Sequence, residues 1–195
     1  MTNHQKFLET LKFLKDKPKL LLHSCCAPCS STCLERLVDY FDITIYFYNP
    51  NITSKQEFDK RFNEQLRLVS EIYGDKIKVI EAPYNSEDFY TQIKGMESLP
   101  EKSARCYKCY SLRLEKTAIY AKESGFNYFT TTLSLSPHKN ADWINEIGEA
   151  LSKKYAVNFL NSDFKKENGY MRSIELSKIY NLYRQDYCGC EFSKT

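Results

Sequence analysis

The chain has 195 residues, eight cysteines and a formal net charge of +3 at pH 7. A chain of this length buries a core without disulfide bonds, so we expect one domain over residues 1–195. Its apolar runs are too short to cross a bilayer and charged residues interrupt the N-terminus, so we expect a cytoplasmic protein with no membrane partner.

Strands and helices alternate from the start of the chain. Residues 19–23 form a short apolar run typical of a buried strand, and a helix is predicted to begin near Ser30. Residues 43–48 are rich in β-branched and aromatic side chains and predict a second strand. Ser54 and Glu57 match a capping box, which predicts an amphipathic helix that ends at Gly74.

The alternation continues through the second half of the chain. The predicted strands three to five cover residues 76–80, 128–133 and 157–160, and residues 110–123 are predicted to form a helix. Ser136 with Pro137 is predicted to cap a further helix that runs through Leu151. The intervening segment 82–105 is long and weakly patterned, which is typical of loops that carry function.

This alternation predicts an α/β fold of the Rossmann-like (HUP-like) type, a mostly parallel sheet with helices on both faces. Such sheets bind ligands at the carboxyl ends of their strands, and a cysteine group directly follows the first strand. We therefore expect a metal site at that edge. The sequence has no glycine-rich phosphate loop, which argues against an enzyme that uses ATP to modify tRNA sulfur.

Seven of the eight cysteines fall into three groups, at residues 25–29, 106–109 and 188–190. In a reducing cytosol such groups indicate metal binding or catalysis more often than disulfides. A CxxC pair lets two thiolates converge on one ion or cluster, and a helix start favours the thiolate. Four thiols fit either a zinc site or an iron–sulfur cluster: Cys25, Cys26, Cys106 and Cys109.

The remaining cysteines differ in their predicted roles. Cys29 completes a second CxxC with Cys26 and is either a ligand of a second metal or an inert buried thiol. Cys188 and Cys190 are able to form a small strained disulfide of the labile, redox-active kind, with metal ligation as the alternative. Cys33 shares a helical apolar stripe, which predicts a core position.

Four motifs together resemble the cobalamin-independent epoxyqueuosine reductases. They read HSCCAP at residues 23–28, RCYKCY at 105–110, TTTLSLSPHK at 130–139 and LYRQDYCGC at 182–190, and GYMRS at 169–173 extends the match. The resemblance covers nearly the whole chain. It implies an oxidoreductase that reduces the epoxide of epoxyqueuosine at the wobble position of tRNA to queuosine, the last step in making that base.

The resemblance also implies cofactors and residue roles. The implied cofactors are a [4Fe–4S] cluster and a second, mononuclear iron. The implied cluster ligands are Cys25, Cys26, Cys106 and Cys109. Cys188 and Cys190 are implied to form the redox-active pair. Cys29 stands where some relatives have an acidic residue and others a cysteine, so it is a candidate ligand of the second iron.

Polar residues that flank the motifs complete the predicted site. The candidate proton donors are His23, Tyr107, His138 and Tyr187. The candidate contacts to substrate or tRNA phosphates are Lys139, Arg172, Arg184 and Tyr187, with ordinary ion pairs as the alternative for the basic side chains.

The partners implied are tRNA and an electron donor that the sequence does not identify. An anticodon loop is recognised through splayed bases, stacking and phosphate contacts, so we expect salt-sensitive tRNA binding. A different class of protein also fits the cysteines, namely a zinc-stabilised RNA-binding module without catalysis. Brown colour after anaerobic purification would separate an iron–sulfur protein from that colourless module.

Overall fold

The structure, a computed structural model that describes residues 1–193, contains a parallel five-stranded sheet. Its strands are β1 (Lys19–His23), β2 (Asp42–Phe47), β3 (Lys78–Glu81), β4 (Tyr128–Thr131) and β5 (Asn158–Phe159). Their spatial order is β3-β2-β1-β4-β5, and every neighbouring pair is parallel. The order reverses between β1 and β4, which is the topological switch point where such sheets bind ligands.

The register of the sheet is set around β1. Lys19 lies opposite Asp42 in β2, and Leu20 lies opposite Tyr128 in β4. The carboxyl ends of β1 and β4 are therefore side by side, with His23 opposite Thr131. The segments that follow these two strands leave the sheet at the same edge.

Helices connect the strands within residues 1–193. They are α1 (Asn3–Phe13), α2 (Ala27–Leu37), α3 (Lys55–Tyr73), α4 (Glu87–Ile93), α5 (Ala104–Glu123), α6 (Ala141–Tyr155) and α7 (Gly169–Ile179). Short 3-10 turns cover Gly74–Lys76, Thr132–Leu135 and Glu191–Ser193. Within the described residues, no helix has the length and hydropathy that crossing a membrane requires.

Both faces of the sheet are buried. Leu21 packs with residues of α5 and α6, such as Leu114 and Ile147, whereas Leu20 and Leu22 pack with residues of α1, α2 and α3. Alternate side chains of a strand point to opposite faces, so a continuous leucine run suits a strand covered on both sides. The prediction of a Rossmann-like α/β fold with helices on both faces is confirmed.

Several element boundaries differ from those expected from the sequence. α2 begins at Ala27 instead of near Ser30, because Pro28 fits the first turn of a helix. α5 begins at Ala104, six residues before the predicted start at position 110, so both cysteines of its CxxC lie on the helix. The fourth strand ends at Thr131 and continues as a 3-10 turn.

The helix predicted to begin at Ser136 begins instead at Ala141. Asn140 caps it, because its Oδ1 accepts hydrogen bonds from the backbone N–H groups of Asp142 and Trp143. The weakly patterned segment 82–105 contains α4. Neither α1 nor α7 was predicted as a helix from the sequence pattern.

Candidate thiol-lined metal site

A cavity of about 450 Å³ lies beyond the carboxyl ends of β1 and β4. All three cysteine groups contribute to its wall, through Cys25, Cys29, Cys106, Cys109, Cys188 and Cys190. Residues 135–139, which follow β4, complete part of the same wall. The fold therefore brings together thiols that lie far apart in the sequence.

The first cysteine group is compact. The Sγ atoms of Cys25, Cys26 and Cys29 all lie within 4.8 Å of one another, and Cys25 Sγ is 3.8 Å from Cys26 Sγ. The chain turns from β1 into α2 over three residues, with Cys26 in extended conformation as the N-cap. This turn lets adjacent side chains converge, and three soft thiol donors in one place suit a thiophilic metal.

The thiols of this first group differ in the direction of their pKa shifts. Hydrogen bonds from Cys26 and Cys29 hold the pKa of Cys25 well below its usual value, even though burial opposes this. The hydrogen bond to Cys25 raises the pKa of Cys26 to about 11. The same kind of bond raises the pKa of Cys29. The contacts within the group therefore favour negative charge on Cys25 over its two neighbours.

Members of the other two cysteine groups pack together. Cys109 and Cys190 pack against Phe89 and Ile93 in one buried cluster. Burial raises the pKa of Cys109 to about 12 and that of Cys190 to about 11. In the metal-free protein these two side chains are thiols at neutral pH.

The segment with Cys188 and Cys190 is held by α3. Arg61 on α3 donates hydrogen bonds to the carbonyl oxygens of Tyr187 and Cys188 at 3.3 and 3.2 Å, and its guanidinium lies over the Tyr187 ring. Arg61 also bonds Glu57 at 2.6 Å, so this buried cation has a carboxylate partner. The Glu57 carboxylate therefore pairs with Arg61 instead of accepting a hydrogen bond from the backbone N–H of the N-cap residue Ser54, which a full capping box requires.

Gly189 lets the chain make its turn between the two cysteines. Its φ is +105°, and a Cβ at this position would lie 2.8 Å from Ile52 Cγ1 and 3.2 Å from Arg61 Nη1. The backbone N–H of Thr53 donates to the Gly189 carbonyl at 3.2 Å. Only glycine combines this conformation with so close an approach.

Arg105 contacts the same segment from α5. Its Nη1 donates to Cys190 Sγ at 3.5 Å, and its Nη2 donates to the Phe192 carbonyl at 3.3 Å. The side chain is buried, and within residues 1–193 it forms no ion pair with a carboxylate. Cys190 thus lies beside a fixed positive charge.

Four further predicted site residues lie on the cavity wall, namely His138, Lys139, Arg184 and Tyr187. The backbone N–H of His138 donates to Ser136 Oγ at 3.3 Å, in a turn that precedes α6. Burial opposes the charge of Lys139, but the cysteine sulfurs around it raise its pKa above the usual value. Nη1 of Arg184 donates to Ser177 Oγ at 3.0 Å, which holds the guanidinium group at the cavity wall.

The structure does not bring four other predicted residues to the described wall of the cavity, namely Cys26, His23, Tyr107 and Arg172. The Cys26 Sγ atom still lies within 4.8 Å of the Sγ atoms of Cys25 and Cys29. The Tyr107 hydroxyl donates to Glu146 at 3.0 Å. Arg172 forms ion pairs with Glu35 at 2.6 Å and Glu175 at 3.1 Å, which is the ordinary ion-pair alternative. Burial lowers the pKa of His23 to about 3, which makes it a neutral core residue.

Several polar residues of the site were not predicted as site residues, although Arg105 and Gln185 lie within two of the motifs. Arg61, Arg105 and Arg113 are buried, and all three line the cavity. Gln185 also lines it, and its buried Oε1 has no hydrogen-bond partner among the described residues. For Arg113 the sequence offered one indication of a place in the site. Position 113 follows Cys109 by four residues, so the two side chains share a face of the helix.

Comparisons with known proteins agree with this arrangement. A model of the family described as epoxyqueuosine reductase QueH matches residues 20–195. An epoxyqueuosine reductase QueH from Staphylococcus aureus is 48% identical over 182 residues, which cover 91% of this chain and 76% of that protein. The relative from Thermotoga maritima is 38% identical over 177 residues, which cover 89% of each chain.

A solved structure supports the fold. The U34-tRNA thiolase NcsA from Methanococcus maripaludis, with its [4Fe-4S] cluster, superposes with a TM-score of 0.59 over 99% of this chain and 67% of that one. At 14% identity this likeness concerns the fold alone.

Fold and site define an α/β oxidoreductase with a thiol-lined cavity at the switch point of its sheet. The chain belongs to the QueH family of epoxyqueuosine reductases. Family membership also argues against the alternative of a zinc-stabilised RNA-binding module without catalysis.

Proposed function

We propose that this protein reduces the epoxide of epoxyqueuosine in tRNA to the cyclopentene of queuosine, and that residues 1–195 act as one reductase domain. The observation that carries the proposal is the meeting of all three cysteine groups on one cavity in a chain of the QueH family. We place the reaction in the cytoplasm, where tRNA is the substrate and a separate reductant restores the enzyme.

The donor set fits a thiolate-held iron group. The three converging Sγ atoms of the first cysteine group are soft ligands, and the cavity adds Cys106 and Cys109 from the start of α5. We propose Cys25, Cys26, Cys106 and Cys109 as ligands of a [4Fe–4S] cluster. Cys29 is then the candidate ligand of a second, mononuclear iron. When bound, such a cluster supplies single electrons at low potential, and an adjacent iron supplies a Lewis acid.

The reaction needs two electrons and two protons, because the carbon–oxygen bonds of the epoxide break and the oxygen leaves as water. Oxidation of Cys188 and Cys190 from two thiols to one disulfide releases two electrons and two protons, which balances the reaction. Both residues lie on the cavity wall, and Arg61 and Arg105 fix the segment that carries them. A reductant of unidentified chemistry then returns the disulfide to two thiols.

Residues on the cavity wall are the candidates for proton donation and for substrate binding. His138 and Lys139 lie on the wall after β4, where either is placed to deliver a proton to the leaving oxygen. Arg184 and Tyr187 lie on the opposite segment, where a guanidinium meets a phosphate and a ring stacks on a base. We give Tyr107 and Arg172 supporting roles outside the cavity, because each already has an acidic partner.

The experiment that tests the proposal is reduction of epoxyqueuosine-containing tRNA by the anaerobically reconstituted protein, with product analysis by mass spectrometry. We expect queuosine in the wild type, and one turnover at most in Cys188→Ser and Cys190→Ser with iron content retained. Cys33→Ser is the matched control, because Cys33 is buried in the core among Leu34, Leu37 and Phe41. Loss of iron in the Cys188 variant, or wild-type protein without product, would contradict the proposal.

A further inference from the structure

Arg113 is a buried cation without a carboxylate partner. Its relative exposure is 1%, and within residues 1–193 it forms no ion pair with an Asp or Glu. Arg61 has the same exposure but bonds Glu57 at 2.6 Å. A buried charge costs several kcal/mol unless an opposite charge compensates it. The charge that compensates Arg113 must therefore come from another group.

The hydrogen bonds of Arg113 do not supply that charge. Its Nη2 donates to Asn49 Oδ1 at 2.7 Å, and its Nε donates to Nε2 of His23 at 3.4 Å. Its Nη1 is buried and has no hydrogen-bond partner among the described residues. Neither of these two partners is a carboxylate, and the side chain also interacts with Cys109.

Arg113 also lies beside thiols. It lines the cavity together with Cys25, Cys109 and Cys188, and it follows Cys109 by one helical turn. Burial disfavours the charge of Arg113, and these three sulfurs are the groups on the cavity wall that become negative when they bind a metal as thiolates. The negative group that suits this cation is therefore a set of thiolates.

We propose that Arg113 is a positioning residue that supplies the counter-charge of the thiolate-held metal group and raises its reduction potential. This inference rests on the proposed function, which places that group in the same cavity. Iron or zinc held by several thiolates carries net negative charge, and reduction makes an iron group more negative. A fixed cation in a buried site stabilises the reduced state, and net charge and hydrogen bonds to sulfur set such potentials.

The test compares two substitutions of Arg113 with a matched substitution at an exposed position of α5. Arg113→Gln removes the charge, and Arg113→Lys retains it but loses the guanidinium fork. Lys116→Gln removes the same charge from an exposed position of the same helix, where solvent screens it. Each protein is reconstituted anaerobically with ferrous iron and sulfide. The readouts are the midpoint potential by spectroelectrochemistry and the apparent metal affinity in competition with a chelator.

We expect Arg113→Gln to lower the reduction equilibrium constant at least tenfold, about 59 mV for a one-electron couple. Its apparent metal affinity should also fall at least tenfold. Arg113→Lys should show less than half of the shift in potential, and Lys116→Gln should match the wild type. Arg113→Gln protein that folds without metal, while Arg113→Lys retains it, also supports the counter-charge role.

Two results would overturn the inference. One is an Arg113→Gln variant with wild-type potential and metal affinity. The other is an Arg113→Gln variant that loses the same stability in the metal-free and the metal-loaded protein, together with an Arg113→Lys variant whose potential shifts as far as that of Arg113→Gln. These results would make Arg113 a purely structural residue, because retaining the charge would then have no effect. Wild-type protein that binds zinc but no iron would instead contradict the proposed function, and the chelator competition would then decide the counter-charge role.

Discussion

Arg61 and Arg67 form a matched pair that tests how the C-terminal segment is held. Both lie on α3, both bond a glutamate on the same helix, and both donate to backbone carbonyls of the C-terminal segment. They differ in burial, because the side chain of Arg61 is 1% exposed and that of Arg67 is 42% exposed. Substitution by methionine keeps the apolar stem and removes the charge and the donors.

The expected losses of stability differ severalfold. Breaking a buried ion pair leaves one charge uncompensated and costs about 3–5 kcal/mol, whereas an exposed pair contributes about 0.2–1 kcal/mol. Arg61→Met should therefore lower the free energy of unfolding by about 3–5 kcal/mol and Tm by roughly 6–20 °C for a domain of this size. Arg67→Met should cost about 1 kcal/mol or less, because water replaces the lost hydrogen bonds.

The assay is urea unfolding of the metal-free protein under reducing conditions, followed by circular dichroism, with m unchanged between variants. Adding Glu57→Gln to Arg61→Met removes the charge that was left unpaired, so it should restore about 1 kcal/mol or more. Equal losses for Arg61→Met and Arg67→Met would refute this reasoning. So would a double variant that is less stable than Arg61→Met.

Three further outcomes are expected. Gly189→Ala should lower the free energy of unfolding by about 1–3 kcal/mol through backbone strain, and by more through contact with Ile52, and it should abolish multiple turnover while iron is retained. Gly125→Ala is the control, because Gly125 has a positive φ but open space around it, so this variant should show only the cost of the strain. Equal activity in the two variants would argue against the close approach at Gly189. Cys33→Ala should lower the free energy of unfolding by about 1–2 kcal/mol and keep the wild-type iron content. Cys29→Ala should lose iron, as measured by metal analysis. The reverse pattern would exclude Cys29 as a ligand. Affinity for tRNA should fall steeply between low and moderate salt in filter binding, and a flat response would rule out phosphate contacts at the rim.

Local patterns in the sequence predicted the elements with strong signals. β1 has the predicted bounds, and α3 begins after Ser54 and ends before Gly74 as expected. The start of α5 was missed because Cys106 and Cys109 face the site and break the apolar period by which helices are recognised. The rule that ligands bind at strand ends placed the first cysteine group at the correct edge of the sheet.

The buried arginines of the site could not be predicted in the same way. In the sequence, Arg61, Arg105 and Arg113 look like solvent-facing residues of amphipathic helices, because arginine is rarely fully buried. Their burial follows from how α3 and α5 pack around the cavity, which is long-range information. The same holds for the turn at Gly189, where the need for glycine comes from a residue more than a hundred positions away.

The wide spacing of the cysteine groups along the chain bears on how the protein is made. During synthesis the first group emerges early, and β4 joins β1 only after β1, β2 and β3 have been translated. The turn at Gly189 is translated later still, and it reaches its seat beside Thr53 only after α3 is in place. Non-local contacts of this kind form late in folding. We therefore expect the thiols of residues 25–29 and 106–109 to be translated before the segment that completes their cavity, and to be open to solvent until that segment is in place.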